Sequence, residues 1–194
     1  MTHDKKDKKD RTDAADLGLH LGSRGRGDDG VLFRWLVACL LFGARISQER
    51  AAAAFAELDA DGVLTPERLA DASTAHLVGL LDAARYTRLD DSKASELVQL
   101  AHDVQDRYDG RLSRLPEGAG STKEVAERLQ QFKGIGPVAA DIFLRDAPDG
   151  WHPETRSRAP YERGFSRRTR PRGGRRPAPA GRARGRCRRG RASR

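Results

Sequence analysis

The chain has 194 residues, enough for one domain of ordinary size, of which 37% are hydrophobic and 34% charged. The net charge of +9 is uneven: residues 151–194 hold 16 of the 37 Lys and Arg residues but only two of the 28 acidic ones, so the part before residue 151 is mildly acidic. Two cysteines, Cys39 and Cys187, exclude a disulfide framework and a four-cysteine cluster. No cofactor, metal or iron–sulfur cluster is therefore expected.

The N-terminal segment 1–29 is polar, contains a Lys/Asp repeat and is predicted to be disordered. It is charged and has no closely following secretory apolar region, so no signal peptide is expected. The apolar run at 31–46 contains Arg34 and Arg45 and is too short to span a bilayer. We therefore expect a monomeric protein of the cytoplasm without a membrane partner.

The middle of the chain, 30–150, is predicted to be all-α, because apolar residues recur at helical spacing and no segment alternates as a strand does. Asp28 and Asp29 are predicted to cap a central helix at about 31–43, which places Cys39 in the core. Further helices are predicted to start at Ser47, at Thr65 with Pro66, at Ser73 or Thr74, and at Ser92. The helix that starts at Ser92 is predicted to end at Gly110.

The segment 124–145, EVAERLQQFKGIGPVAADIFLR, is predicted to form two short helices joined by a glycine hairpin. Ser121 and Glu124 form a capping box at the start of the first helix. Gly134 is expected to end that helix in a left-handed conformation, and Pro137 suits the first position of the second helix.

The hairpin is predicted to bind a phosphate of a nucleic-acid backbone. Its consecutive N–H groups are expected to point outward at the positive end of the second helix, with no side chain in the way. The candidate DNA-binding residues are Lys133, Gly134, Ile135, Gly136, Val138 and Ala139. Lys133 adds a charge, and Ile135 is expected to anchor the hairpin in the core. An ordinary helical corner is the alternative, but the capping box, the apolar face and the Gly-Pro-x-Ala-Ala continuation favour the phosphate site.

The segment LQQFKGIGPVAADIF resembles the helix-hairpin-helix of the endonuclease III-like DNA glycosylase superfamily. Residues 36–41 and 44–47 resemble its first long core helix and the turn to its lesion pocket. Tyr86 and Ser92-Lys93-Ala94 resemble its middle helices, so that the resemblance covers roughly 31–146. It implies a base-excision repair protein that binds double-stranded DNA. Arg45, Tyr86, Ser92 and Lys93 are candidates for pocket or DNA contact. A solvated arginine, a core aromatic and a surface lysine are the competing interpretations.

In this family an Asp after the hairpin's second helix drives release of an extruded base. The carboxylates at that place are Asp149 and Glu154, and neither has the family's Asp-Thr-His or Asp-Pro context, so no catalytic role is assigned to them. Members with lyase activity carry a Lys where this chain has Val138, so an active enzyme would be monofunctional. The family's second lobe is replaced here by the tail, and a half-built cleft with exposed apolar surface is expected.

The tail, 151–194, is predicted to be disordered, being mainly Arg, Gly, Ala, Pro and Ser from Arg156 onward. This composition has two explanations: an out-of-frame continuation of a GC-rich gene, or an evolved nucleic-acid-binding tail. The absence of lysine favours the out-of-frame continuation. Three functions stay open: a monofunctional glycosylase, a helix-hairpin-helix module that holds DNA without chemistry, and a basic protein that binds nucleic acid through its tail. The missing Asp favours the second.

Overall fold

The computed structural model describes residues 12–86 and 90–156, and within these ranges the chain forms helices and turns but no strand. The all-α fold class is therefore confirmed for the described residues. The α-helices are α1 (Asp29–Phe42), α2 (Gln48–Asp61), α3 (Pro66–Asp71), α4 (Thr74–Ala83), α5 (Asp90–Tyr108), α6 (Thr122–Leu129), α7 (Pro137–Asp146) and α8 (Pro153–Arg156). Short 3-10 helices lie at Ala14–Leu17, Leu112–Arg114 and Asp149–Trp151.

Helix α1 is the centre of the core, as predicted. The Asp28 side chain accepts the N–H of Val31 at 3.1 Å and so caps the helix. Every residue from Trp35 to Phe42 is buried, the Cys39 thiol included, because other helices surround α1. Burial raises the pKa of this thiol, and the nearby Asp146 raises it further.

Helices α2 and α7 pack directly on α1, α4 packs on α2, and α5 packs on α3 and α4. The predicted caps at Thr65 and Ser73 are confirmed, since their hydroxyl oxygens accept the N–H groups of Arg68 and His76. Ser47 occupies the cap position of α2 but makes no cap hydrogen bond.

The predicted start of α5 is wrong, whereas its predicted end is confirmed. The helix is described from Asp90 onward, so Ser92 lies inside it and the prediction that Ser92 caps it is wrong. Gly110 ends the helix as predicted: its φ is +72°, and its N–H donates to the carbonyl of Val104 at 3.2 Å.

An N-terminal strap, 12–27, belongs to the folded body, and the prediction of disorder up to residue 29 is wrong for residues 12–29. Leu19 and Leu21 are buried in the common core. The N–H of Ala14 donates to the Asp146 carboxylate at 3.0 Å. An ion pair joins Arg145 to Asp13 at 2.9 Å.

The segment after α7 also belongs to the body, which therefore extends beyond the predicted boundary at residue 150. Trp151 is fully buried and meets Phe143 edge-on, with ring centroids 4.8 Å apart. Its Nε1–H donates to the carbonyl of Arg26 at 2.9 Å, and the N–H of Gly150 donates to that of Gly25 at 2.6 Å. The prediction that disorder begins at residue 151 is therefore wrong at Trp151, which the strap holds in the folded body.

Among the described residues, Val138 is the one large hydrophobic side chain that is mostly exposed, at 62%. The expected exposed apolar surface is thus absent from this part of the chain, where Leu19, Leu21 and Trp151 join the core cluster. The predictions for 1–11 and 157–194 lie outside the described residues.

Candidate nucleic-acid interface

The hairpin, 130–136, joins α6 to α7 by a longer connection than predicted. Helix α6 ends at Leu129, well before Gly134, so the prediction that Gly134 ends it is wrong. Two turn hydrogen bonds follow, from the N–H of Phe132 to the carbonyl of Leu129 and from the N–H of Ile135 to that of Phe132. Gly134 has the expected left-handed conformation, with φ +87°, and α7 begins at Pro137 as predicted.

The capping box of α6 is present in altered form. Ser121 Oγ accepts the N–H of Glu124 at 3.2 Å, as the motif requires. The Glu124 carboxylate reaches the N–H of Gly120 at 2.9 Å instead of that of Ser121, and it also accepts from Arg128. The Gly120 N–H and then Arg128 hold the pKa of Glu124 below its ordinary value, because both favour the charged carboxylate.

The hairpin presents several free backbone donors at the N-terminus of α7. The prediction of an unbroken free row is wrong at Ile135, whose N–H is bonded to Phe132 at 3.1 Å. The N–H groups of Gly134, Gly136, Val138 and Ala139 make no hydrogen bond to any residue that the structure describes. At Gly136 an added Cβ would meet nothing within 4 Å, so the surface there is open.

The side chains of the hairpin divide into two groups. Lys133 and Val138 are exposed, whereas Ile135 and Ala139 are buried. Ile135 therefore anchors the hairpin in the core, as predicted. Since the Ala139 side chain also faces the core, it offers a ligand only its N–H.

Behind the hairpin, Gly134 lies directly against an ion pair on α5. A Cβ at Gly134 would be 2.5 Å from Oε2 of Glu96, and the positive φ independently favours glycine. The same Oε2 accepts from Nζ of Lys93 at 2.6 Å. Lys93 is only 7% exposed, so the prediction that it touches DNA is wrong.

Tyr86 is likewise a core residue, and the prediction that it contacts DNA or a base is wrong. It is fully buried, and its hydroxyl donates to the carbonyl of Leu41 at 3.1 Å. Burial, with a contribution from the charge of Glu96, raises the pKa of Tyr86 to about 12. Arg45 and Ser92 are exposed, and a role for either in binding stays a prediction.

A cleft of about 460 Å³ opens beside α7. Its lining residues are Thr12, Phe42, Gln48, Val138, Asp141, Ile142 and Arg145. Asp141 is the acidic residue of this lining, and the sequence analysis missed it. The sequence does indicate that Asp141 shares a surface with Val138, because positions 138, 141, 142 and 145 fall on one face of a helix. Val138 belongs to both the hairpin surface and the cleft.

Arg145 lines the cleft and contacts the strap. Its guanidinium bonds the neighbouring carboxylate of Asp146 at 3.0 Å and the carbonyl of Thr12 at 3.2 Å, and it pairs with Asp13. The hydrogen bonds to Asp146 raise the pKa of Arg145. The strap therefore forms part of the cleft's wall.

The two carboxylates at the position of the family's catalytic Asp, Asp149 and Glu154, do not line the cleft. Glu154 Oε1 accepts the N–H of Thr122 at 3.1 Å, at the start of α6. Asp149 is exposed in the 3-10 turn that precedes Trp151. The structure thus separates both candidates from the hairpin–cleft region.

Comparisons with protein-family models, with curated proteins and with solved structures found no match for this chain. Within 12–86 and 90–156, no group of three or more His, Cys, Asp or Glu side chains is arranged to hold a metal ion. No helix in the described ranges is long and apolar enough to cross a membrane. The hairpin and the cleft are therefore the features of the described chain that bear on its function.

Proposed function

We propose that this chain is a DNA-binding protein of the base-excision type, whose hairpin holds a backbone phosphate of duplex DNA. The observation that carries the proposal is the set of unbonded N–H groups at Gly134, Gly136, Val138 and Ala139. They lie at the positive end of the α7 dipole, which suits an anion. The exposed Lys133 adds a full charge beside them. The resemblance to endonuclease III-like proteins favours duplex DNA as the source of the phosphate.

Binding by the body is expected to depend weakly on salt. One hairpin neutralises few phosphates, and few counterions are therefore released on binding. Residues 1–150 also carry more acidic than basic residues, so the body supplies little non-specific attraction. The basic tail lies outside the described residues, and any binding through it would be revealed by a steep salt dependence.

The test compares Gly136→Asp with Gly136→Ala in the full-length chain, by titrating a labelled duplex at fixed moderate salt. Nothing lies within 4 Å of a Cβ at Gly136, so both side chains fit. Asp at this cap position would occupy the free N–H groups and repel the phosphate while favouring α7. We expect Gly136→Asp to weaken binding about tenfold or more, which corresponds to about 1.4 kcal/mol. Gly136→Ala adds a methyl group but no charge or acceptor, so it should weaken binding much less than Gly136→Asp does. Equal binding by the Asp and Ala variants would contradict the proposal.

A second candidate function is hydrolytic release of a base, and the cleft beside the hairpin favours it. Asp141 provides a carboxylate there, adjoining Val138, which links the cleft to the phosphate site. In this reaction a water oxygen bonds C1′ of the sugar and gives its proton to the Asp141 carboxylate. The N-glycosidic bond breaks with its electron pair on the base, which takes up a proton from solvent. No amine is present at position 138, so no Schiff base forms there.

Base release from damaged duplexes is expected to be very weak, because the described residues that line the cleft include no second acid and Asp141 is exposed. Any activity should be lost in Asp141→Asn and kept in the matched variants Asp149→Asn and Glu154→Gln. Single-turnover measurement of released base checks this order. Activity that survives Asp141→Asn but not Asp149→Asn or Glu154→Gln would transfer the role to the segment after α7.

A further inference from the structure

We propose that the Lys93–Glu96 ion pair is a positioning element of the hairpin, in which Lys93 cancels the negative charge that Glu96 places behind the bound phosphate. The inference rests on the proposed function, because it concerns the same phosphate site. It assigns a role to a charged pair that lies on α5, away from the hairpin in sequence.

The contact between the pair and the hairpin is direct. Oε2 of Glu96 lies where a side chain at Gly134 would have to go, 2.5 Å from the position of its Cβ. Gly134 is one of the residues whose N–H is free for a ligand. The Glu96 carboxylate therefore packs against the hairpin at Gly134 and leaves the N–H of Gly134 free for a ligand.

The charge of Glu96 is the difficulty that Lys93 resolves. The two side chains are only 19% and 9% exposed, so water screens them poorly. An unpaired carboxylate at this depth is unfavourable in itself. It would also repel an anion at the hairpin, since like charges in a poorly screened site disfavour each other. The Tyr86 hydroxyl, which feels the charge of Glu96, is neutral and donates to the carbonyl of Leu41, so it does not offset that charge.

Two single variants separate this role from simple structural support, because each breaks the ion pair but changes the charge behind the hairpin in the opposite direction. Lys93→Met leaves the carboxylate uncompensated and should weaken duplex binding about tenfold. Glu96→Gln leaves the ammonium uncompensated and should strengthen binding by about two- to threefold. The double variant should bind the duplex within about twofold of the unmodified chain, because neither charge is left without a partner. Lys93→Arg keeps a positive charge beside Glu96 and should therefore not show the loss expected for Lys93→Met.

The measurements are duplex titrations of the full-length chain at fixed salt, with thermal unfolding recorded for every variant. Opposite shifts of affinity for Lys93→Met and Glu96→Gln support the proposal. Shifts in the same direction, or none, overturn it and leave the pair as structural support. Should Lys93→Met fail to fold, Glu96→Gln alone decides: tighter binding supports the proposal, and equal or weaker binding overturns it.

The Gly136 variants keep this result distinct from the proposed function. If Gly136→Asp and Gly136→Ala bind the duplex equally well, the hairpin is not the phosphate site, and the proposed function falls together with this inference. If only Gly136→Asp loses binding while the α5 variants give no opposite shifts, the proposed function stands and the inference alone is wrong.

Discussion

The hairpin, 130–136, and the segment after α7, 147–156, flank the same helix and both contain glycine, yet they are built differently. In the hairpin, Gly136 faces open space and its N–H is unbonded among the described residues. After α7, Gly150 packs backbone to backbone on Gly25, and Trp151 is fully buried. Composition alone predicts two loops, whereas the structure contains one open surface and one part of the core.

The difference shows what a glycine contributes in each setting. At Gly136 the missing side chain leaves room for a ligand to approach the backbone. At Gly150 it leaves room for another segment of the same chain, the N-terminal strap. The second role depends on a partner more than 120 positions away, Gly25, and no local pattern reveals it. Variants in the two regions should therefore affect different measurements: stability for the segment after α7, and ligand binding for the hairpin.

The largest effect is expected from Trp151→Ala. Removing a fully buried indole, with its contact to Phe143 and its hydrogen bond to the Arg26 carbonyl, should lower the free energy of unfolding by about 3–5 kcal/mol. Val138→Ala is the matched control, because that side chain is exposed and should change stability by less than about 0.5 kcal/mol. Chemical denaturation measures both. Equal midpoints for the two variants would mean that the segment after α7 is not packed.

Much of the helical body could be predicted from the sequence, because its signals are local. The caps at Asp28, Thr65 and Ser73 and the apolar spacing of α1 indicate helix starts within a few residues. The strap could not be predicted in this way. Leu19 and Leu21 alternate with glycine and histidine at strand-like spacing, yet no strand forms in this part of the described chain, and only contacts with distant residues bury them.

A smaller loss of stability is expected from Gly150→Ala. The new Cβ would lie 2.7 Å from the carbonyl carbon of Gly25 and closer still to its oxygen, and neither backbone atom can move aside freely. We expect a loss of about 1–3 kcal/mol, the usual cost of overpacking. Gly136→Ala is the control in the hairpin: φ there is −90°, which alanine tolerates, and stability should be unchanged or about 0.5 kcal/mol higher.

Thermal or denaturant unfolding of these two alanine variants tests the contrast between the regions. A destabilised Gly136→Ala with an unaffected Gly150→Ala would reverse the assignment of open and packed backbone. The same Gly136→Ala protein serves as the uncharged reference for Gly136→Asp in duplex binding, so stability and binding are compared on one sample.

Part of the candidate site could be predicted from the sequence, and part could not. The glycines, Pro137 and the exposed Lys133 follow from short-range rules for helix ends. Lys93 is predicted from the sequence to contact DNA, with a surface charge as the alternative; both interpretations expect exposure, since lysine is seldom buried, but its partner Glu96, three residues on, allows burial. Asp141 lies within α7, whereas the resemblance places the family's Asp after that helix, although the helical register of Asp141 with Val138 is visible in the sequence.

The smallest effect concerns Glu154 and decides whether the carboxylates after α7 serve the fold or the chemistry. Glu154 Oε1 accepts the N–H of Thr122 in the first turn of α6, where a negative charge also interacts favourably with the helix dipole. Glu154→Gln keeps an acceptor and should lower stability by only about 0.3–0.5 kcal/mol, whereas Glu154→Ala also loses the hydrogen bond and should cost about 1 kcal/mol.

Added salt distinguishes the two parts of this loss, because it screens the interaction of the charge with the helix end but not the hydrogen bond. The deficit of Glu154→Gln should therefore shrink as salt rises, while most of the deficit of Glu154→Ala should persist. Neither variant should change duplex binding, since the contact lies at the start of α6 and not at the hairpin. If Glu154→Gln instead abolished base release at unchanged stability, the carboxylate would be catalytic, and the segment after α7 would have to approach the DNA despite its packed tryptophan.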